Sequence, residues 1–208
     1  MTTNTTINED ETIYSTDDGN DGRGGLQWGN GQARYETSDN EAHAQVKASL
    51  VGLGINAWAR VWSEIEVEGG SGGDSTSKAD FVISGEYDGV VDALGGAASD
   101  MWVDLFVRDL SNNVELNNSN VMHASSKVIG YKPKSDTFSR TIASSEYLEA
   151  GKKYAVGVRA KTTAVASTNP ITGVVNTASA DLHTIDYQDD YLQHSGSARI
   201  DEIDVQWK

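Results

Sequence analysis

The chain has 208 residues with 31 Asp+Glu against 16 Lys+Arg, a formal net charge of −15, no Cys, two Pro and 21 Gly. That length buries a real core in one large domain or two small ones, and the lack of Cys excludes disulfides, thiolate metal sites and cysteine nucleophiles. The acid excess repels a phosphate backbone and so argues against nucleic acid as a partner, and no run of about 18 apolar residues is present to span a membrane.

Residues 1–18 are rich in Thr, Asn and acid, with Ile7, Ile13 and Tyr14 as apolar anchors. Such a stretch cannot fold alone. It reads as a frayed terminus, or as an arm that orders against a neighbouring subunit with those three residues as the contacts. The run Asp17-Asp18-Gly19-Asn20-Asp21-Gly22-Arg23-Gly24-Gly25 reads as a turn or loop. Residues 1–25 are thus an extended arm and Gly/Asp-rich loop, and 26–208 a single β-sandwich domain.

Residues 32–36 read as a short strand. Over 42–50, Ala42, Ala44, Val46, Ala48 and Leu50 alternate with polar residues, the period of a half-buried strand, although a helix is a second option. The alternation then slips by one through Val51, Leu53, Ile55, Ala57 and Ala59, as a bulge or tight turn produces. It resumes through Val61, Ile65 and Val67. Residues 69–77 form a Gly/Ser-rich loop, and 79–87 a strand. The cleanest alternation, Met101, Val103, Leu105 and Val107, predicts a strand over 101–109 with Trp102, Asp104, Phe106 and Arg108 on its other side. Asn112-Asn113 and Asn117-Asn118 read as turns. Strands follow over 121–131 and 136–143, split by Lys132-Pro133-Lys134. Tyr154, Val156 and Val158 alternate after Gly151, and Ile203, Val205 and Trp207 share a face of the last strand. Many short strands with Gly/Asn turns predict an all-β, antiparallel, jelly-roll-like sandwich with an extended N-terminal arm.

The run Leu148-x-Ala150-Gly151-x-x-Tyr154 resembles the Leu-x-Pro-Gly-x-x-Tyr corner of fibronectin-like and jelly-roll sandwiches, with Ala150 in place of Pro. The resemblance implies that Tyr154 is a structural corner whose hydroxyl reaches nearby backbone. The acid excess is spread along the chain rather than packed in a tail. It reads as a solvated surface suited to high salt, where screening relieves self-repulsion. In this style of composition the chain resembles the acidic β-sandwich surface and virion proteins of halophilic archaea and their tailed viruses. That resemblance implies a virion or extracellular location. No charged-then-apolar signal peptide opens the given chain.

No phosphate-binding loop, dinucleotide fingerprint, nucleophile elbow or zincin motif occurs, and His43, His123, His183 and His194 are isolated. An enzyme is therefore not expected, and no cofactor is required. Asp17, Asp18, Asn20 and Asp21 alternate with Gly in a way that permits a Ca²⁺ loop, though without the bidentate Glu of an EF-hand. A second acidic cluster comprises Asp186, Asp189 and Asp190. Trp58, Trp62 and Trp102 fall on the polar phase of their strands, as glycan-stacking or interface aromatics or as a second buried face. Sequons begin at Asn4 and Asn117.

The leading expectation is a non-enzymatic structural subunit, a capsid-decorating, turret or fibre protein or a surface filament. It would associate with copies of itself, and with other structural proteins, through sheet edges and the arm. The alternative is a carbohydrate- or host-surface-binding module.

Overall fold

The computed structural model describes residues 5–7, 11–14, 19–23, 29–36, 40–48, 54–67, 76–168, 175–176, 178–182 and 197–208. Among them every regular element is a strand: β1 (Thr5–Ile7), β2 (Glu11–Tyr14), β3 (Gly19–Arg23), β4 (Gly29–Glu36), β5 (Glu41–Ala48), β6 (Gly54–Val67), β7 (Thr76–Ser77), β8 (Ala79–Asp109), β9 (Val114–Ala143), β10 (Leu148–Glu149), β11 (Lys153–Val165), β12 (Ser167–Thr168), β13 (Val175–Asn176), β14 (Ala178–Leu182) and β15 (Ala198–Trp207). The β-sandwich expected from the sequence is the fold.

Its frame is one ribbon. β8 has 31 residues and β9 has 30, and they pair along nearly their whole length. The other edge of β8 is divided. Residues 79–87 take β15, 90–93 take β14, and 98–109 take β11. β14 and β15 lie on one line antiparallel to β8, and β5 and then β4 extend that first sheet. β11 carries β6 to complete the second sheet.

The ribbon turns from one sheet into the other where Gly95, Gly96 and Ala97 of β8 face a single residue of β9. Extra residues unpair the ladder and bend it. Side chains satisfy the carbonyls beside the bend: Ser99 Oγ donates to Asp92 O (2.8 Å), and Lys132 Nζ donates to Ser125 O (2.8 Å). At the far end the two halves of β9 meet again. Asn117 Nδ2 donates to Ala143 O (2.8 Å), and Ser145 Oγ donates to Leu116 O (2.8 Å).

The core lies between the sheets. Met101, Val103, Leu105 and Val107 of β8, Val156 and Val158 of β11, and Val61 and Ile65 of β6 face Ala42, Ala44 and Val46 of β5 and Ile203 and Val205 of β15, all fully buried. Burial of each branched side chain is worth about 1.5–3 kcal/mol. The sequence phase slip has a simple origin. β5 belongs to one sheet and β6 to the other, so both alternations point inward from opposite sides.

Three expectations are corrected. Gly19–Arg23, read as loop, is strand β3 paired with β6. Asn117-Asn118, read as a turn, lies inside β9. Pro133 does not split β9, because among the described residues β9 pairs only with β8, and an edge strand tolerates a missing N–H. The described parts of the N-terminal arm sit on the chain's own sheets: β1 runs parallel to β6, β2 pairs with β15, and β3 pairs with β6.

The ribbon closes at Asp109. Its carboxylate is buried and accepts the Ser111 amide (2.7 Å), the Asn112 amide (3.0 Å) and Asn112 Nδ2 (2.8 Å). Asn113 takes the left-handed conformation at φ 58°. Burial by itself raises the Asp109 pKa, but the donated hydrogen bonds, the Asn112 amide foremost, outweigh it and hold the pKa below the usual carboxylate value. A depressed folded-state pKa contributes stability above the unfolded value and loses it as pH falls through the folded one. Asp109→Asn should therefore lower stability near neutral pH by about 1 kcal/mol. Urea unfolding at a series of pH values should show the gap between parent and variant closing below about pH 4.

Candidate functional site

The outward face of the second sheet gathers the chemistry. Antiparallel register places opposed side chains on the same face as neighbours. Across β6, β11, β8 and β9 this gives successive rows: Trp58, Lys161, Trp102 and His123; then Arg60, Arg159, Asp104 and Asn120; then Trp62, Gly157, Phe106 and Asn118.

In the first row the Trp102 and His123 rings are stacked, 4.9 Å between centroids and 2° apart. Lys161 Nζ lies 4.9 Å from the Trp102 ring. β9 and β11 flank β8 on opposite sides, so the imidazole and the ammonium approach the indole from opposite flanks. His123 Nε2 is 3.0 Å from Asp100 Oδ1. Arg60, nine-tenths buried, places its guanidinium carbon 4.6 Å from the Trp58 ring and 5.4 Å from the Phe106 ring. Such stacking suits a planar, weakly hydrated cation.

The second row is an ion-pair lattice. Arg159 donates to Asp104 Oδ2 (3.3 Å) and Glu115 Oε2 (3.0 Å), and Asn120 Nδ2 donates to Asp104 Oδ1 (2.9 Å). Arg159 Nε is buried with no partner among the described residues.

The third row depends on Gly157. A Cβ there would lie 2.7 Å from both Cα and Cβ of Trp62 and closer still to the Val61 carbonyl oxygen. Its absence lets Trp62 and Phe106 meet edge to face over it, with centroids 6.5 Å apart. Phe106 is fully buried although it points away from the core between the sheets.

Trp58, Trp62 and Trp102 thus share one face. Tyr154 lies elsewhere, buried at the start of β11, and its hydroxyl accepts the Glu149 amide (2.8 Å) across the turn at Gly151 (φ 77°). Burial pushes its phenol above the ordinary value, against the pull of that amide. Ile7 aligns with Val67, Ile13 with Ile203 and Tyr14 with Glu202. Asn20 and Asp21 occupy β3 opposite Val61 and Arg60, while Asp17, Asp18, Asp186, Asp189 and Asp190 lie outside the described residues. Asn117, a sequon acceptor, uses its side-chain amide at the β9 clasp.

Lys161, Arg60, Arg159 and Asn120 were not singled out in the sequence; Asp104 was read only as lying on the Trp102 side of its strand, and His123, read as isolated, stacks on Trp102 and meets Asp100. Each sits on the polar phase of its strand, but only the register joins them. A separate cavity of about 350 Å³ is lined by Glu86, Tyr87, Asp88, Asp136 and Ser197. Two of its three acids have partners of their own: Glu86 pairs with Arg199 (3.2 Å), and Asp136 accepts the Thr137 amide (2.9 Å).

No family model and no curated protein matches the chain. A solved structure that it is similar to is the N-terminal endo-1,4-β-D-xylanase 10B of Clostridium thermocellum, its CBM22-1 and GH10 modules complexed with xylohexaose. The identity is 12% and the TM-score 0.30, over 96% of this chain and 28% of that chain. A likeness of that size does not bear on function.

Gly157→Ala should force Trp62 and the β6 backbone outward and cost about 1–3 kcal/mol. The check is a lower urea midpoint together with a changed near-ultraviolet tryptophan signal.

Proposed function

We propose that the protein is a non-enzymatic recognition module that holds an extended carbohydrate chain across the outward face of its second sheet. What supports this is the first row. Trp58 and Trp102 both align with Lys161 on the strand between them, so the two indoles stand two strand spacings apart, about 10 Å. That span fits a disaccharide. Sugar rings present C–H faces to indoles and hydroxyls to hydrogen-bonding groups. A partner of that mixed character matches a surface on which an aromatic row borders a row of Arg, Asp and Asn. Strands hold these groups more firmly than loops do.

Trp58→Ala and Trp102→Ala should each weaken polysaccharide retention in native gels by about tenfold or more, the size of an aromatic anchor loss. Their far-ultraviolet dichroism should match that of the parent. A parent that no polysaccharide retains, at low or molar salt, would remove the reading.

A second reading is the structural subunit of an extracellular or halophilic-virus assembly. Favouring it, short N-terminal strands lie on edges of both sheets, at β6 and at β15, where a neighbouring copy can supply the same strands. In that case deletion of residues 1–18 should reduce the mass measured by light scattering in molar salt. A mass unchanged per chain, apart from the deleted residues, sinks the arm exchange.

A further inference from the structure

We infer that the sugar chain held on this face is an acidic one, and that Lys161 reads its charge; this rests on the carbohydrate reading above. The acids around Lys161 already have cationic or amide partners. Asp104 holds Arg159 and Asn120, Asp100 is 3.0 Å from His123, and Glu115 holds Arg159 and Asn118. Lys161, in a chain with nearly two acids for every base, has no carboxylate within ion-pair distance among the described residues. Its ammonium rests on Trp102 instead, midway along the row from Trp58 to Trp102.

That placement makes the indole and the ammonium one device. A neutral sugar stacking on this flank of Trp102 must displace the cation into water and offers it no charge in return. A sugar bearing a carboxylate or sulfate draws the ammonium off the ring into a charge-assisted hydrogen bond, and the vacated indole flank takes the sugar ring. The exchange is favourable because an exposed cation–π contact is weaker than a charge-assisted hydrogen bond. The acid excess that disfavours a uniform polyanion is offset on this face, where Arg60, Arg159 and Lys161 match the carboxylates of Asp100, Asp104 and Glu115, and charges beyond about 8 Å are largely screened at 0.15 M salt.

The test is isothermal titration of the intact chain at 0.15 M salt with polygalacturonate against neutral galactan, and with dextran sulfate against dextran. The parent should bind at least one acidic polymer more tightly than its neutral counterpart, and the pair that responds tells carboxylate from sulfate. Lys161→Gln should cut the acidic affinity about tenfold, one charge-assisted contact, and Lys161→Arg should retain most of it. Lys134→Gln, at an exposed position on β9, serves as the control for nonspecific loss of charge. Equal binding of acidic and neutral polymers overturns the inference and leaves the carbohydrate reading standing. An acid preference that survives Lys161→Gln overturns the role of Lys161. Binding of none of the four polymers overturns the inference, and a blank native-gel panel beside it removes the carbohydrate reading as well.

Discussion

The structure depends on the bend in the β8–β9 ribbon. Both sheets are built on this ribbon, so the turn at Gly95, Gly96 and Ala97 sets how one sheet faces the other. The hairpin at Asp109 is local in sequence, whereas the pairings of β8 with β14 and β15 span about a hundred residues and carry a high closure entropy. A ribbon zipped from its turn supplies the template on which those distant strands gain their bonds. The Ser99 and Lys132 bonds brace the ribbon at its mid-point bend, and the Asn117 and Ser145 bonds tie its two ends together.

The same ribbon decides which surfaces are open to a partner. β9 is an edge strand 30 residues long, a hazard for unwanted pairing. It is blunted by single-residue bulges at Val121 and Leu116, by Pro133, and by Lys127, Lys132 and Lys134. β6 and β15, which would otherwise offer edges, carry β1, β3 and β2. Beside those edges, one face concentrates three tryptophans, Trp58, Trp62 and Trp102.

Local alternation made much of the fold legible. Met101 to Val107 and Val156 to Val158 face the core as their period requires. The Leu148-to-Tyr154 corner carries a hydroxyl-to-amide bond between residues only five apart. Continuity was harder to see. Residues 90–99 are too small and glycine-rich to show a period, and Pro133 and the paired Asn residues read as breaks because nothing in one strand's sequence says that it is an edge or that it bulges. The candidate face was legible only in part. Trp58, Trp62 and Trp102 stand out singly, but Lys161 acquires meaning from being opposite both Trp58 and Trp102, and Gly157 from lying between Trp62 and Phe106. Those relations belong to register, which is set by pairing between segments about fifty to a hundred residues apart.

On the outward face, charge and aromaticity are ordered by the same register. Arg60, nine-tenths buried, is stacked on Trp58 and lies over Phe106, so its guanidinium is fixed before any partner arrives. Arg159 is fixed by Asp104 and Glu115. Lys161 differs from both, with a flexible stem and a compact ammonium that rests, among the described residues, on the Trp102 indole. Among the described residues of this face, the two arginines are each held by more than one partner, rings for Arg60 and carboxylates for Arg159, whereas Lys161 has the Trp102 ring. Side chains held in this way by strand register and ion pairs lose little freedom on contact with a partner, which is the condition under which binding energy is not spent on ordering the surface.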